Sequence, residues 1–372
     1  MLQDSMMDLA RCLAERGRYS VAPNPLVGAV VARDGTVVSE GWHSRAGEDH
    51  AEIVALSEAG GEAHGHTLYV TLEPCNHYGR TPPCVEAILR SGISRVVVGH
   101  LDPNPRMRGR SVGILRDAGV EVEVAADTVF EWQNEQYFHH MRTGRPFVHL
   151  KLATTLDGRI AAAGGDSKWV TGEDARRRAH ELRAEAGAVL VGANTVRTDD
   201  PMLTVRDLPV PSPRITRVVL DHHLTTSSES KLARSAGETP VVVFAPEAAL
   251  DGCERRLKRL GVEVVAAPLS EEGLDLVYIL DELGGRGIKG LLVEGGGETA
   301  TGFVRRGLAD KLTLFYAPKL LGSEGVPMIG ALRATKVAES LQFSVSEVEK
   351  VGDDVAVTLY PGGGEERVHR AC

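Results

Sequence analysis

The sequence lacks the features that mark membrane proteins and secreted, disulfide-rich proteins. Its 372 residues contain no run of 18 apolar residues, which excludes a membrane-spanning helix. The first 17 residues carry charged side chains among the apolar ones, and this pattern predicts an amphipathic helix rather than a signal peptide. The chain has only five cysteines, and an odd number of cysteines cannot all pair with one another. We therefore expect a reducing, cytoplasmic setting.

A strongly basic region is also missing. Residues 1–145 contain 14 arginines, no lysine and 19 acidic residues, a balance of −5, and the remainder contains 28 basic and 32 acidic residues, a balance of −4. Proteins that bind DNA or RNA usually neutralise phosphates with a basic surface. The charge therefore favours a small-molecule substrate and predicts no nucleic-acid partner. The length predicts two or three domains of about 150 residues each.

What the sequence does contain is a set of metal ligands between residues 50 and 84. His50-Ala51-Glu52 is followed by Pro74-Cys75, and a second cysteine, Cys84, closes the stretch. One imidazole and two thiolates give zinc three protein ligands, and an open fourth position is typical of catalytic zinc. Zinc lowers the pKa of a water in that position to about 7. Glu52 is close enough to the metal to transfer protons without binding it.

This pattern matches the H-x-E and P-C-x-x-C signature of zinc deaminases, in which the glutamate is the general acid and base. The match has one departure, because Cys75 and Cys84 are nine positions apart rather than three. The longer loop carries His77 and Arg80. A structural zinc site, or buried cysteines beside a core histidine, is the alternative interpretation of any single residue. The combination favours the catalytic interpretation.

The first 145 residues predict an α/β domain with a mostly parallel sheet covered on both faces. Helices are predicted at residues 3–17, 51–59, 83–91, 109–118 and 127–142, and strands at 26–32, 36–41, 67–72, 95–99 and 120–124. Asp34-Gly35 is a hairpin signal between the first two strands. The predicted domain boundary lies at residues 142–146.

A second α/β pattern follows the boundary. Strands are predicted at residues 147–153, 188–192, 217–221, 241–245, 262–266, 290–294 and 311–317, with a helix at 173–186 and an antiparallel pair at 343–348 and 355–360. Gly295-Gly296-Gly297 lies between a strand and a helix. Such glycines permit a phosphate to approach a helix N-terminus, but a tight turn explains them equally well. We expect a domain over residues 146–364 and a disordered tail at 365–372.

Together these motifs resemble one family, the bifunctional deaminase/reductase of riboflavin biosynthesis. Its deaminase motifs are matched by Pro23-Asn24-Pro25, Thr71-Leu72-Glu73-Pro74-Cys75, Gly79-Arg80-Thr81-Pro82-Pro83-Cys84 and Asp102-Pro103-Asn104-Pro105. Its reductase motifs are matched by Leu150-Lys151-Leu152, Ser167-Lys168-Trp169, Asp199-Asp200-Pro201 and Glu294-Gly295-Gly296. Residues 223–285 and 326–372 fall outside the resemblance.

The resemblance implies a cytidine-deaminase-like domain at residues 1–145 and a dihydrofolate-reductase-like domain after it. The first would hydrolyse the amino group of diaminohydroxyphosphoribosylaminopyrimidine, using one zinc ion held by His50, Cys75 and Cys84 with Glu52 as the catalytic residue. The second would reduce the ring-opened ribosyl group of the product with NADPH. The resemblance also implies a homo-oligomer, a dimer or a tetramer.

The resemblance assigns the remaining site residues as follows. Pyrimidine and phosphate would be held by Asn24, His43, Arg80, Asp102 and Asn104. In the reductase, Lys151 would polarise the reacting carbon, and the substrate would contact Ser167, Arg183, Leu203, Arg206 and Glu294. NADPH would contact Ala153, Trp169, Thr195, Asp199, Gly295, Gly296 and Gly297. A solvated loop arginine is the less favoured alternative for Arg80, whereas Trp169 could equally be a packing aromatic. His222 stands where the family usually has a serine that contacts the cofactor, which puts that contact in doubt.

Two other functions compete with this one. A deaminase acting on nucleic-acid bases is disfavoured by the acidic charge balance and by the second α/β half. A ligand sensor whose enzyme-like site has decayed is disfavoured by the intact set of His50, Glu52, Cys75 and Cys84.

Overall fold

The computed structural model describes residues 2–61, 63–78, 82–208, 210, 213–250, 252 and 254–362. The chain divides into two compact units, Met1–Gly144 and Arg145–His369. The predicted disordered tail and the predicted site residue Arg80 lie outside the described residues. Within the described ranges, no helix combines the length and the apolarity needed to cross a bilayer.

The first unit contains six helices and five strands among its described residues. The helices are α1 (Leu2–Glu15), α2 (Ala51–Glu58), α3 (Cys84–Ser91), α4 (Arg110–Asp117), α5 (Thr128–Gln133) and α6 (Glu135–Thr143). The strands are β1 (Gly28–Arg33), β2 (Thr36–Trp42), β3 (Thr67–Leu72), β4 (Arg95–His100) and β5 (Glu121–Val124).

The five strands form one sheet in the order β2-β1-β3-β4-β5. Successive side chains of a strand point to opposite faces, and both faces of this sheet are buried. Ala29 and Val31 of β1 pack with apolar side chains of α2, α3 and α4, whereas Val30 and Ala32 pack with those of α1 and with Phe130 of α5. The unit is therefore a three-layer α/β/α structure.

Two expectations for this unit were wrong. The sheet is mixed rather than mostly parallel, because β1 runs antiparallel to both β2 and β3, while β3, β4 and β5 are parallel. The helix predicted at residues 127–142 is divided at Asn134. The side-chain amide of Asn134 accepts a hydrogen bond from the backbone N–H of Leu26 at 2.7 Å and donates one to the Leu26 carbonyl at 3.0 Å.

The second unit contains helices α7 (Glu173–Ala186), α8 (Ala193–Asp199), α9 (Lys231–Arg234), α10 (Glu254–Arg259), α11 (Leu276–Gly285) and α12 (Gly297–Arg305). Its strands begin with β6 (Phe147–Thr155), β7 (Arg159–Ala161), β8 (Ala188–Gly192), β9 (Thr216–Leu220), β10 (Val241–Ala245), β11 (Glu263–Ala266) and β12 (Leu269–Ser270). They continue with β13 (Gly273–Leu274), β14 (Gly290–Val293), β15 (Lys311–Ala317), β16 (Val326–Pro327), β17 (Phe343–Val351) and β18 (Asp354–Pro361).

Nine of these strands form a sheet in the order β11-β10-β9-β8-β14-β6-β15-β18-β17. The pairs from β11 to β15 are parallel, and β15-β18 and β18-β17 are antiparallel, as the sequence predicts for the last pair. Helix α7 covers one face, where Leu182 packs with Leu292 and Phe315. Helices α11 and α12 contribute Ile279 and Phe303 to the core on the other face.

In the first unit, Gly28 sets how closely α1 packs on β1. A Cβ built at Gly28 would lie 1.9 Å from the carbonyl oxygen of Ala10 and 2.8 Å from the backbone nitrogen of Ala14. Both contacts are with helix backbone, which cannot rotate away as a side chain can. Only glycine fits this position without moving the helix.

We predict that Gly28→Ala destabilises the protein by roughly 1–3 kcal/mol, the usual cost of inserting a group into a packed core. The measurement is urea unfolding followed by circular dichroism at a fixed zinc concentration. The control is Gly113→Ala in α4, where a Cβ meets no described atom within 4 Å. Helix propensity favours alanine there by about 0.5–1 kcal/mol. Equal stability of the two variants would contradict the packing argument.

Candidate active sites

His50, Cys75 and Cys84 converge into one cluster. Nδ1 of His50 lies 3.1 Å from Sγ of Cys84 and 3.4 Å from Sγ of Cys75, and the three ligand atoms lie within 4.8 Å of one another. A zinc ion with Zn–N and Zn–S bonds of about 2.0–2.3 Å would place tetrahedral ligands about 3.6 Å apart. The donor set and its spacing therefore fit zinc with three protein ligands.

Each ligand occupies the end of a regular element. His50 is the N-cap residue of α2, and Cys84 is the first residue of α3. Cys75 follows β3 by three residues, and its sulfur accepts a hydrogen bond from the backbone N–H of Cys84 at 3.3 Å. The positive ends of two helix dipoles are thus directed towards the cluster, which stabilises thiolates.

The surroundings of the two thiols shift their pKa values in opposite directions. The S–H of Cys84 donates to Cys75 and, with His50, lowers the pKa of the Cys75 thiol to about 4. The neighbouring Cys75 sulfur and burial raise the pKa of Cys84. One negative charge is therefore shared by the pair. A divalent cation would allow both thiols to ionise, which is the state that zinc requires.

Glu52 is buried beside this cluster, in the first turn of α2, with 3% of its surface exposed. Burial, and next the charge of Cys75, raise the pKa of its carboxyl group above the usual value. A carboxyl group whose pKa is raised towards neutrality can both accept and donate a proton in one reaction cycle.

Asn24 and His43 form a polar pair next to the metal ligands. The His43 ring packs edge-on against His50, with centroids 5.4 Å apart. Nδ1 of His43 lies 3.0 Å from the carbonyl oxygen of Asp49, and Nε2 lies 3.0 Å from Nδ2 of Asn24. Because a carbonyl only accepts, the proton belongs on Nδ1, and Nε2 accepts from the Asn24 amide. Burial lowers the pKa of His43, so the neutral ring is favoured.

Asp102 and Asn104 lie in the loop after β4, and two residues that sequence reasoning missed hold this loop in place. The Tyr137 hydroxyl lies 3.0 and 3.1 Å from the two carboxylate oxygens of Asp102. Glu73 is buried and accepts hydrogen bonds from the backbone N–H groups of Asp102, Gly109 and Ser111. Glu73 lies in a matched motif without an assigned role. No sequence signal connects Tyr137 with Asp102, 35 positions away.

In the second unit, Lys151, Arg183 and Glu294 form a charged group. Arg183 and Glu294 make a two-point ion pair, with Nη2–Oε2 at 2.9 Å, and their side chains are only 13% and 12% exposed. Burial lowers the pKa of Lys151, while the charge of Glu294 opposes that shift. Lys151 on β6 and Glu294 after β14 lie on neighbouring parallel strands.

His180 on α7 is another residue that the sequence did not reveal. Its Nδ1 lies 3.0 Å from the carbonyl oxygen of Thr204, which also accepts from Nη1 of Arg183 at 3.0 Å. Burial, followed by the charges of Arg183 and Arg206, lowers the pKa of His180 to about 4. The neutral ring therefore ties the loop carrying Leu203 and Arg206 to the helix that carries Arg183.

The predicted cofactor residues, and the predicted substrate residue Ser167, occupy several parts of this unit. Ser167 donates to Asp199 of α8 at 3.0 Å. Thr195 lies on α8 as well, and Ala153 lies on β6, opposite Phe315 of β15. Trp169 is 66% exposed, and its ring stacks on the guanidinium of Arg176, 4.4 Å away. These contacts join Ser167 with Asp199 and leave Trp169 at the surface.

The three glycines after β14 differ in how much space a side chain would have at each position. A Cβ at Gly295 would lie 2.5 Å from the Thr299 side chain, and one at Gly297 would lie 2.4 Å from the carbonyl oxygen of Pro327. Close packing explains these two. A Cβ at Gly296, the N-cap of α12, would meet no described atom within 4 Å. Gly296 therefore leaves the N-terminus of a nine-residue helix open to a ligand, which fits a cofactor phosphate.

The fold and the first site define a zinc-dependent deaminase of the cytidine deaminase class joined to a second α/β catalytic unit. Residues 2–100 match the zinc-binding region of cytidine and deoxycytidylate deaminases, and residues 146–357 match the RibD C-terminal domain. The chain is 44% identical over 357 residues to the riboflavin biosynthesis protein RibD of Aquifex aeolicus, covering 96% of this chain and 98% of that one.

Two solved structures are similar over the whole chain. Acinetobacter baumannii RibD superposes with a TM-score of 0.88 at 37% identity, and covers 97% of this chain and 99% of its own. The diaminohydroxyphosphoribosylaminopyrimidine deaminase/5-amino-6-(5-phosphoribosylamino)uracil reductase of Thermotoga maritima has a TM-score of 0.83 at 36% identity, with the same coverage. The chain belongs to the RibD family of bifunctional deaminase/reductases of riboflavin biosynthesis.

We predict that Cys75→Ser and Cys84→Ser each remove zinc from the protein and lower its stability, because metal binding is coupled to folding. The measurements are zinc content per chain, expected near one in the unmodified protein, and the unfolding midpoint. Cys12→Ser, on α1 and outside the cluster, is the control and should retain full zinc. Full zinc occupancy in both site variants would refute the ligand assignment.

A second prediction concerns Tyr137. Tyr137→Phe removes the hydroxyl that bonds Asp102, and a buried hydrogen bond to a charged group is worth about 1.5–3 kcal/mol. We expect KM for the pyrimidine substrate to rise on the order of 10–100-fold, with a smaller change in kcat and an unchanged zinc content. Tyr278→Phe, on α11 of the second unit, is the matched control. A fall in kcat at constant KM would argue against a role in holding Asp102.

Proposed function

We propose that His50, Cys75, Cys84 and Glu52 carry out the deamination, and that Lys151 carries out the reduction that follows it. We assign residues 1–145 to the deaminase and 146–364 to the reductase. The observation that carries the proposal is the burial of Glu52 beside two thiols and an imidazole at zinc-ligand spacing. The substrate is 2,5-diamino-6-ribosylamino-4(3H)-pyrimidinone 5′-phosphate, and the final product is 5-amino-6-(5-phosphoribitylamino)uracil.

In the deaminase, His50, Cys75 and Cys84 would hold zinc, a Lewis acid that would activate water at neutral pH. Glu52 accepts the proton of the attacking water and delivers it to the departing amino group, which leaves as ammonia. Its raised pKa suits both transfers. Asn24 and His43 orient the pyrimidine ring, and Asp102 and Asn104 hold its polar edge. Arg80 would bind the 5′-phosphate, for which a guanidinium offers a two-point contact.

In the reductase, NADPH supplies the hydride. Lys151 lies next to Glu294 and directs its ammonium group at the reacting carbon of the ring-opened ribosyl group. Its lowered pKa makes it a better proton donor to the developing oxygen or nitrogen anion. Glu294 holds Lys151 electrostatically and is itself held by Arg183. Ser167, Leu203 and Arg206 complete the substrate site.

The cofactor would lie along the carboxyl ends of the strands in the second unit, the usual position for ligands of open parallel sheets. Its contacts are proposed to be Ala153, Trp169, Thr195, Asp199, Gly295, Gly296 and Gly297. A small phosphorylated substrate agrees with the acidic charge balance of the chain. We further propose a homo-oligomer, a dimer or a tetramer, and a cytoplasmic location.

The two activities should be separable by mutation. Glu52→Gln keeps the size of the side chain and should leave zinc bound, yet lower ammonia release by at least 10²–10⁴-fold, the usual contribution of a general acid–base group. The same variant should still oxidise NADPH when the deaminated intermediate is supplied. Lys151→Met should behave in the opposite way, with deamination intact and the uracil intermediate accumulating. The readouts are ammonia release, NADPH absorbance and product masses.

Mixing the two variants provides the internal control. The full conversion should return, provided that the intermediate leaves one chain and reaches another, since each variant supplies the activity that the other lacks. Loss of NADPH oxidation by Glu52→Gln with supplied intermediate would disprove two independent sites. Normal ammonia release by Glu52→Gln would disprove its catalytic role.

A further inference from the structure

We propose that an open cleft in the second unit binds the 2′-phosphate of NADPH, with Arg255 and Arg256 as its cations. The cleft measures about 530 Å³ and lies between the loop after β9 and the start of α10. Its lining residues are Leu224, Thr226, Ser227, Ser228, Gly252, Arg255, Arg256 and Leu257. This inference rests on the proposed function, because it concerns the cofactor of the proposed reductase site.

The need for such a site arises from His222. This exposed residue stands where the family usually has a serine that contacts the cofactor, and its ring stacks edge-on with His223, 4.7 Å away. A 2′-phosphate is a dianion with strong acceptor oxygens, so discrimination between NADPH and NADH requires positive charge within contact distance. Arginine provides that charge in a fixed fork of donors.

The loop that forms one wall of the cleft is held rigidly. Asp221 follows β9, is only 1% exposed, and accepts hydrogen bonds from the backbone N–H groups of Thr225 at 2.9 Å and Thr226 at 2.6 Å. It also accepts from both threonine hydroxyls. These four bonds fix the path of the chain into Ser227 and Ser228, which line the cleft.

The same loop is tied to the proposed cofactor residues. The backbone N–H of Lys231 donates to Oδ1 of Asp200 at 2.8 Å, and Asp200 directly follows Asp199 at the end of α8. The loop therefore lies beside the end of the helix that carries Thr195 and Asp199.

The strand order of the sheet places the cleft where the adenosine end of an extended dinucleotide would lie. Strands β10, β9, β8, β14 and β6 are neighbours in this order and parallel, so their carboxyl ends share one edge. Lys151 on β6 marks the reacting end, where the nicotinamide must lie. The adenosine end is then directed towards β9 and β10. Three strand spacings of about 4.8 Å separate β14 from β10, roughly 14 Å in all.

The charges in this region suit a phosphate. Among the described residues, no carboxylate forms an ion pair with Arg255 or Arg256, and both side chains are exposed. Of the two acidic residues in the loop, Asp221 is buried and bonded to Thr225 and Thr226, and Glu229 is paired with Arg234. Glu254, at the start of α10, lies 4.0 Å from the ammonium group of Lys258. The two guanidinium groups are thus available to an anion, and Ser227 and Ser228, which also line the cleft, carry hydroxyls that can donate to it.

The test is the affinity of the full-length, zinc-loaded protein for NADP⁺, NAD⁺ and 2′,5′-ADP, measured by isothermal titration calorimetry without substrate. In the double variant Arg255→Ala/Arg256→Ala, Kd for NADP⁺ and 2′,5′-ADP should rise on the order of 10–100-fold, the loss expected for charge-assisted hydrogen bonds. Kd for NAD⁺ should change less than about twofold. Arg259→Ala removes the same charge from the same helix outside the cleft and should leave all three affinities unchanged.

The outcomes separate this inference from the proposed function. Tight NADP⁺ binding by the unmodified protein and by the double variant alike would overturn the cleft assignment and leave the reductase proposal standing. Equal weakening of NADP⁺ and NAD⁺, or the same loss in Arg259→Ala, would also overturn it, since neither is specific to the 2′-phosphate. An unmodified protein that binds neither cofactor would overturn both proposals. An unchanged affinity for NAD⁺ in the double variant shows that its second unit remains folded, which ammonia release by the first unit does not report.

Discussion

The first unit depends on how two neighbouring sulfurs, that of the buried Cys84 and that of the partly buried Cys75, carry charge. The Cys75 and Cys84 sulfurs lie within 4.8 Å of each other, and two thiolates so close together repel strongly unless a cation lies between them. Zinc held by these ligands would remove this repulsion and would at the same time join the start of α2, the segment after β3 and the start of α3. The ion proposed to activate water would thus also crosslink three elements.

The second unit also brings several charged side chains close together. Lys151, Arg183 and Glu294 bring two cations and one anion into a partly buried group, and the pairing of Arg183 with Glu294 leaves Lys151 with incomplete compensation. A buried ammonium group in this situation loses its proton more readily than one in water. In both units a proposed site residue follows the carboxyl end of a parallel strand, as Cys75 follows β3 and Glu294 follows β14. This edge leaves loops free to vary while the sheet fixes their starting points.

The sequence was sufficient for features that depend on local order. The strands of the two large sheets and the helices of the first unit followed from apolar periodicity, whereas α8, α9, α10 and α11 of the second unit were not predicted. The grouping of His50, Cys75 and Cys84 followed from residue type and spacing. Features set by tertiary contacts were not predictable. The division of the helix at Asn134 depends on hydrogen bonds with Leu26, which is 108 positions away, and the support of Asp102 by Tyr137 is equally remote in sequence. The antiparallel direction of β1 against β3 was missed because a hairpin signal describes only the neighbouring strand.

Zinc and phosphate place different demands on the residues that bind them. This difference explains why a sequence motif marks the proposed zinc site and no motif marks the proposed phosphate site. Zinc bonds of about 2.0–2.3 Å with tetrahedral directions leave the ligands almost no freedom, so their residue types and positions are tightly constrained. A phosphate dianion is bound through charge and through long, flexible donors, and arginine reaches it from many backbone positions. The loss of one serine contact at His222 therefore does not require the loss of the cofactor. It requires only that another loop along the same sheet edge provide positive charge, and the segment after β10 contains two arginines in adjacent positions.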